Sequence, residues 1–244
     1  KYLRENKWRI QDKMGKEHLK RLAAPKKWQV ARKKFKFIIK PASGAHSLKE
    51  GISFGTLLKE MLSYANSSRE AKKILNTHQI KIDGKVRKDF RFPVGIFDTI
   101  EFSNINENFR VIADKNGKIG LAKIKKEEVS LKPCKIIGKT AVRGKIQLNL
   151  FDGNNMLTDN KSYKVGDTLL LELPDKKIAK HLKLDKKSAI LLTGGKHIGE
   201  TGHVEGISGN KIIYKNPNGE LVETSKKYAF VVGDSKPLIT IHET

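Results

Sequence analysis

The 244-residue chain has a single cysteine, few acidic residues for its many basic ones, and no long apolar run. Because Cys134 stands alone, we expect no internal disulfide, no thiolate-rich zinc site, and a small buried thiol at this position. No apolar stretch approaches the roughly 18 residues of a membrane-spanning helix, and no signal-peptide core follows the N-terminus. The sequence therefore predicts a cytoplasmic chain without a membrane segment.

Motifs for catalysis and for cofactor binding are also missing. Gly194-Gly195-Lys196 ends like a phosphate-binding loop, but Ile190 occupies the place of its first glycine and His197 the place of its Ser or Thr. The seven histidines are scattered without metal-ligand spacing, and no nucleophile-elbow spacing occurs. We therefore expect no enzyme, no cofactor, no metal and no small-molecule substrate.

Positive charge is what the chain has in excess. It carries 50 Lys and Arg against 26 Asp and Glu, a formal net charge of +24, which would oppose a compact state unless a polyanion neutralised it. Residues 1–40 hold 15 basic and 3 acidic side chains, half of the excess. Nucleic acid is the expected partner, and residues 1–46 are interpreted as a basic arm. The arm is too poor in apolar periodicity to fold alone, so we expect it to become ordered on RNA.

Aromatic residues are interleaved with the charge of this arm, at Trp8, Trp28, Phe35 and Phe37. Two roles are open for them. They could stack on unpaired RNA bases, or they could fix the arm to the body of the protein. Residues 33–39 are compatible with an edge strand.

Residues 47–104 have the pattern of a compact unit with two helices and a β segment. Apolar residues recur with helical spacing over residues 54–65 and predict a first helix with one buried stripe. Ser67 and Glu70 then have the spacing of a capping box, so a second helix should begin at Arg69.

The second helix would have one apolar face and one basic face. Ala71, Ile74 and Leu75 share the first, and helical spacing gathers the second from Arg69, Lys72, Lys73 and Asn76. We expect the apolar face to pack and the basic face to meet solvent or phosphate.

A turn signal follows at Asp83-Gly84, within the β-rich residues 80–87. A strict two-residue turn would put Ile82 and Lys85 on one face, so a clean separation of apolar from basic residues would require a bulge or longer loop. The sequence leaves this open. Residues 92–95 are interpreted as a Pro/Gly turn that leads into a strand at 98–102.

Two β-rich regions complete the chain. Residues 105–188 alternate short strand patterns with turns, as in a small antiparallel barrel or sandwich, and 176–184 are compatible with a short helical connection. Residues 189–244 combine glycines with a β meander typical of a small barrel. These glycines could bring the backbone close to RNA beside Lys196, or could only form tight turns. Glu200 and Glu205 make contact with protein as plausible as contact with RNA.

Six short segments form an ordered series along the chain: residues 18–28, 40–48, 69–76, 92–95, 147–153 and 193–199. This series strongly resembles the archaeal and eukaryotic S4e family of small-subunit ribosomal proteins. The resemblance covers roughly Met14 to the C-terminus. Because the family usually starts near Met14-Gly15, residues 1–13 would be an N-terminal extension, about which the resemblance says nothing.

The resemblance implies an α+β fold class with four parts. These are the basic arm (1–46), an S4-type RNA-binding domain (47–104), a central β domain (105–188), and an SH3-like β domain with a KOW motif and C-terminal tail (189–244). The implied function is that of a structural constituent of the small ribosomal subunit. It would bind and stabilise small-subunit rRNA beside neighbouring small-subunit ribosomal proteins, without catalysis. The alternatives are a non-structural RNA-binding factor of ribosome assembly or translation, and an RNA-modifying enzyme that carries the same RNA-binding domain.

The candidate RNA-binding residues come from the arm, the second helix, the hairpin with the loop after it, and the glycine-rich loop. Cationic side chains would lie on phosphates, whereas the shape of the folded RNA would define the site. The candidates are His18, Lys20, Arg21, Lys26, Lys27, Trp28, Arg32, Lys33, Lys34, Lys40, Arg69, Lys72, Lys73, Lys81, Lys85, Arg87, Lys88, Arg91 and Lys196.

Overall fold

The structure, a computed structural model, describes residues 18–114 and 116–241. Helix is scarce in this part of the chain. It consists of α1 Phe54–Thr56, continued by a π-helical turn Leu57–Met61, of α2 Ser68–Thr77, and of 3-10 turns at Arg21–Ala23 and Lys126–Ser130. None of these described helices is long and apolar enough to cross a membrane. A few helices among many strands agree with the predicted mixed fold class.

The strands form three five-stranded antiparallel sheets and two two-stranded sheets within the described residues. In chain order they are β1 Leu19–Lys20, β2 Phe37–Ile38, β3 Gly51–Ser53, β4 Ile80–Ile82, β5 Lys85–Val86, β6 Pro93–Gly95, β7 Thr99–Phe102, β8 Glu107–Ala113, β9 Ile119–Lys123, β10 Leu131–Val142, β11 Lys145–Leu150, β12 Asn155–Thr158, β13 Thr168–Glu172, β14 Lys177–Leu182, β15 Ala189–Leu192, β16 Thr201–Ser208, β17 Lys211–Lys215, β18 Leu221–Ser225 and β19 Ala229–Gly233.

The described part of the arm packs on the compact unit that follows it. β1 pairs with β2, and Trp28 is buried with its indole Nε1 donating to Gly51 O at 3.0 Å. Trp28 therefore fixes the arm to the body of the protein, the second of the two roles considered for the aromatics. Phe35 and Phe37 are exposed instead, and Trp8 lies outside the described residues. The arm lacks apolar residues for a core of its own, and it uses the core of its neighbour instead.

The two helices differ in how closely they follow the prediction. α2 begins at Ser68, one residue before the predicted start, with Glu70 N donating to Ser67 Oγ at 3.1 Å. Glu70 Oε2 in turn accepts from Asn66 N at 2.8 Å, so it bonds the residue before the cap and not the N–H of Ser67 that a full capping box would use. The first helical segment ends at Met61, well before the predicted residue 65, because the chain turns there through a residue with positive φ, Ser63.

The hairpin between β4 and β5 is a strict two-residue turn. Asp83 and Gly84 both have positive φ, at 52° and 73°, and Ile82 lies opposite Lys85. No bulge separates them. β5 is a two-residue edge strand, so Lys85 is exposed although its partner Ile82 is buried.

The first five-stranded sheet has the order β5-β4-β7-β8-β9. A boundary between residues 104 and 105 would separate β7 from β8, which pair directly from Thr99–Arg110 to Phe102–Glu107. The sheet of the compact unit therefore extends to Lys123. The predicted turn at 92–95 is wrong, because Pro93–Gly95 is the buried strand β6, paired with β3.

The second sheet has the order β12-β11-β10-β13-β14, and the twelve-residue β10 lies at its centre. The helical connection predicted at 176–184 is wrong, because β14 occupies this position and pairs with β13. Ile178 and Leu182 are four residues apart, which suits a helix but also fits the two-residue period of a strand. Cys134, on β10, is buried as expected.

The third sheet has the order β18-β17-β16-β15-β19 and shares a core with the other two. Ile96 and Phe97 of the compact unit pack in one cluster with Leu170 of β13 and Phe230 of β19. The ring centroids of Phe97 and Phe230 are 4.5 Å apart. The three sheets are therefore joined through buried apolar contacts.

Candidate nucleic-acid interface

The exposed face of α2 is basic. Arg69, Lys72 and Lys73 are exposed, whereas Ala71 and Leu75 are fully buried. The apolar stripe fixes this orientation, because it must face the core. Three cationic side chains therefore point outward from one rigid element.

The loop after the hairpin extends this basic face. Lys72 Nζ lies 4.4 Å from the centroid of the Phe90 ring, and Arg87 Cζ lies 4.6 Å from that of Phe92. Gly55 N donates to Phe90 O at 2.7 Å and ties the same loop to α1. The loop and the two helices thus form one surface.

The arm borders this surface through its C-terminal part. Arg91 Nε donates to Lys40 O at 3.3 Å, and Ala42 N donates to Arg91 O at 2.8 Å. Ser53 Oγ donates to Ile39 O at 3.1 Å. We call the combined surface of α2, residues 85–91 and residues 33–40 the basic surface.

The rest of the described arm is a loop held by hydrogen bonds from the Arg32 side chain. Arg32 donates from Nη1 to Ala24 O at 2.9 Å and from Nη2 to Pro25 O at 3.0 Å. These bonds hold a loop that exposes Lys20, Lys26, Lys33 and Lys34. Phe35 and Phe37 are 59% and 50% exposed, respectively, so two aromatic rings remain accessible among these lysines.

The predicted RNA-binding residues do not all reach the surface. Those exposed are His18, Lys20, Lys26, Lys33, Lys34, Arg69, Lys72, Lys73, Lys85, Lys88 and Lys196. Those partly buried are Lys27, Arg32, Lys40, Lys81, Arg87 and Arg91. Lys81 also meets a carboxylate, Glu101, at 3.3 Å. Lys196 lies in the loop between β15 and β16, outside the basic surface.

Arg21 and Trp28 correct the prediction, because each is only 2% exposed. Arg21 Nη2 is 2.7 Å from Glu60 Oε1, and its Nη1 donates to Ala31 O at 2.9 Å. This guanidinium lowers the pKa of Glu60. Both side chains therefore hold the arm to the protein and cannot meet RNA directly.

A buried charge cluster escaped sequence analysis. Lys132 Nζ lies 2.6 Å from Asp98, 2.5 Å from Asp83 and 3.5 Å from Asp152, and His46 Nε2 lies 2.9 Å from Asp98. These residues are far apart in sequence, so no spacing could reveal them. Lys132 gave no signal either, because it interrupts the apolar pattern of β10.

The pKa values of this cluster are shifted by its mutual attractions. Burial alone would raise the pKa of Asp98, but Lys132 and His46 outweigh it and lower that pKa. Burial alone would likewise lower the pKa of Lys132, but Asp98 and Asp83 raise it well above its usual value. Lys132 and Asp98 therefore form a charged pair at neutral pH, whereas burial and the charge of Asp98 raise the pKa of Asp83. The cluster joins the arm, the hairpin and the second sheet.

The fold and the surface define a basic, β-rich protein whose exposed cations suit a polyanion. The chain belongs to the S4e family of ribosomal proteins. The family profile described as Ribosomal family S4e matches residues 105–178, and the RS4NT (NUC023) domain profile matches residues 13–49. The resemblance found in the sequence is thereby confirmed.

Individual relatives match over nearly the whole chain. The small ribosomal subunit protein eS4 of Methanocella arvoryzae is 42% identical, over 91% of this chain and 96% of the relative. The eS4 protein of Methanocaldococcus jannaschii is 39% identical, over 93% of this chain and 98% of the relative. The crystal structure of the 30S ribosomal protein S4e from Thermoplasma acidophilum is 32% identical and aligns with a TM-score of 0.66, over 76% of this chain and 96% of that one.

Proposed function

We propose that the protein is a structural constituent of the small ribosomal subunit that binds and stabilises small-subunit rRNA in the cytoplasm, without catalysis. The observation that carries this proposal is its identity of about 40% with small-subunit proteins across more than nine-tenths of the chain. The net charge of +24 supports it, because rRNA would neutralise the self-repulsion of the free protein.

The basic surface is the proposed centre of rRNA binding. Its lysines and arginines would lie on phosphates, which supply affinity without reading sequence. α2 gives these cations a fixed spacing, so the folded shape of the rRNA would select the site. The residues proposed to contact rRNA are His18, Lys20, Lys26, Lys27, Lys33, Lys34, Lys40, Arg69, Lys72, Lys73, Lys81, Lys85, Arg87, Lys88, Arg91 and Lys196.

The exposed aromatics of the arm are proposed to contact RNA bases. Phe35 and Phe37 are surrounded by lysines, and the His18 ring lies 5.7 Å from that of Phe37. Aromatic rings in a cationic setting stack on unpaired bases. The arm would therefore combine phosphate contacts with stacking, while Trp28 and Arg21 anchor it to the body.

The domain layout is proposed with one revision. The S4-type RNA-binding domain would comprise residues 47–123, because its sheet includes β8 and β9. The second sheet would form the central β domain, and residues 189–244 an SH3-like domain with a KOW motif. The third sheet exposes Ile207, Ile213 and Leu221, so we propose that it contacts neighbouring small-subunit proteins as well as rRNA.

A tethered cleavage reagent tests the basic surface in the assembled subunit. A Lys73→Cys variant would carry an iron chelate that generates hydroxyl radicals on α2. Cys134 is fully buried and burial raises its thiol pKa well above the usual value, so it should not be labelled. We expect strong local cleavage of small-subunit rRNA from position 73.

A Lys177→Cys variant is the matched control, because Lys177 is exposed and lies 3.7 Å from Asp175 on the second sheet. Weaker cleavage, at other rRNA positions, is expected from it. Absence of rRNA cleavage from position 73 would remove α2 from the interface. If the protein associates with subunits only transiently, it would be a non-structural factor.

A further inference from the structure

A cleft of about 490 Å³ lies where the arm meets the second and third sheets. Lys27, Lys135, Lys226, Lys227, Glu50 and Tyr228 are among the residues that line it. Its volume is within the roughly 300–1,000 Å³ typical of ligand sites. Of these residues only Tyr228 and Lys227 are exposed, Tyr228 only partly, so the cleft has an aromatic and a cationic side chain at its mouth.

The charge of the cleft is strongly positive. Four lysines and one carboxylate, that of Glu50, are among its lining side chains. Lys135 is buried, and its Nζ donates to the carbonyls of Lys226 at 3.2 Å, Lys227 at 3.0 Å and Ala229 at 2.5 Å. Burial lowers the pKa of Lys135 to about 8, and the nearby charge of Lys226 contributes to that shift. Lys135 is therefore a positioning residue that holds the turn carrying Lys227 and Tyr228.

Tyr228 is fixed in place by the glycine-rich loop. Thr193 donates to Tyr228 O from its backbone N at 2.9 Å and from its hydroxyl at 3.1 Å. A Cβ on Gly194 would lie only 2.5 Å from Tyr228 Cδ1, and one on Gly195 would lie 3.4 Å from Cδ2. A side chain at position 194 would therefore displace the ring. The ring is nevertheless 37% exposed, so its position is fixed while part of it stays accessible.

We propose that this cleft binds one unpaired RNA nucleotide, with its base stacked on Tyr228 and its flanking phosphates on Lys27 and Lys227. The inference rests on the proposed function, because it specifies a second RNA contact away from the basic surface. An acidic protein segment would also satisfy the lysines. Such a segment would have no use for the Tyr228 ring. A fixed and accessible aromatic ring is instead a feature of proteins that capture splayed RNA bases.

The test uses the full-length protein and a short single-stranded oligoribonucleotide that carries one 2-aminopurine. Binding of the unsubstituted protein should quench 2-aminopurine fluorescence by stacking. In a Phe35→Leu, Phe37→Leu background, which removes the exposed rings of the arm, Tyr228→Leu should abolish the quenching and weaken binding about 5- to 100-fold, whereas Tyr228→Phe should preserve both. Lys227→Gln should reduce the log-log salt slope by about 0.7. Thermal unfolding of each variant reports whether its fold is retained.

Two results would overturn the inference. One is unchanged affinity and quenching in Tyr228→Leu. The other is oligoglutamate binding that matches the oligoribonucleotide and depends on Lys227 but not on Tyr228, which would assign the cleft to an acidic segment.

Failure of the proposed function would have a different signature. If the full-length protein binds small-subunit rRNA through α2 but Tyr228 makes no difference, only the cleft inference fails. If the protein does not bind small-subunit rRNA at all, the proposed function fails, and the oligoribonucleotide measurement still decides what the cleft binds.

Discussion

The ammonium of Lys132 lies 2.6 Å from a carboxylate oxygen of Asp98, with both side chains at most 3% exposed. The pair joins strand β10 to the loop before β7, and Asp98 also accepts from Gly95 N at 2.9 Å. Removing one partner of a buried ion pair leaves the other charge without compensation. The pair should therefore be strongly coupled to the stability of the whole protein.

Lys132→Met should lower the free energy of unfolding by about 3–5 kcal/mol, because Asp98 would remain buried without its main cation. Urea denaturation measures this. The double variant Lys132→Met with Asp98→Asn should recover part of the loss. Lys123→Met is the control, since Lys123 pairs with Glu107 at the surface and little measurable change is expected. Equal effects of Lys132→Met and Lys123→Met would contradict the claim that the buried Lys132–Asp98 pair is strongly coupled to stability.

The contribution of His46 to stability should depend on pH. Burial alone would lower the pKa of His46, but the adjacent Asp98 outweighs both burial and Lys132, and the pKa is raised above 6.5. A raised pKa in the folded state gives stability that is complete below pH 6.5 and is lost as the pH rises through the folded-state pKa. His46→Asn should therefore cost more at about pH 5.5 than at about pH 9.

The same denaturation series at the two pH values, applied to both proteins, gives the comparison. A cost that is independent of pH, or larger at high pH, would show that His46 acts only by filling space.

Charge reversal on α2 should weaken binding to small-subunit rRNA without unfolding the protein. Arg69, Lys72 and Lys73 are exposed, so glutamates at these positions meet solvent. Each lost phosphate contact should flatten the log-log dependence of affinity on salt by about 0.7 to 0.9. Filter binding over a salt series measures the slope.

The matched control reverses three exposed lysines that already face carboxylates: Lys145, Lys177 and Lys211. The change in net charge is identical, but these cations are partly neutralised within the protein. Equal slopes for the two triple variants would mean that only total charge matters. An unchanged slope in the α2 variant would exclude that helix from the interface.

Truncation after residue 185 should destabilise the remaining protein. The four-part layout expected from the sequence would leave an intact RNA-binding domain after this deletion. The structure indicates otherwise, because the deletion removes Phe230, whose ring contacts Phe97, and the carbonyls that accept from Lys135. Helical circular dichroism followed on heating should show a lower unfolding temperature. An unchanged transition would support independent units.

Local signals in the sequence were sufficient for some elements and not for others. The cap at Ser67 and the apolar stripe of α2 are short-range features, and the cap predicted the start of the helix to within one residue. β10 has only a weak signal in the sequence because Lys132 and Lys135 interrupt its apolar pattern, although both are buried in the structure. Their partners come from distant residues, which no local period can reveal.

In the candidate interface, too, features with a local sequence signal could be predicted, and features that depend on distant residues could not. Exposure of the α2 cations could be predicted from helical spacing. Burial of Arg21 and Trp28 could not, because it depends on Glu60 and Gly51, which belong to the neighbouring unit. The cleft at Tyr228 also depends on contacts between separate sheets, so its ring had no signal in the sequence.

The most direct measurement of the central claim is the sedimentation of the native protein with small ribosomal subunits after a high-salt wash. A structural constituent should remain in the subunit fraction in a one-to-one ratio with small-subunit rRNA. Release of the protein into the free fraction would contradict the account and would identify it as a factor that only visits the subunit.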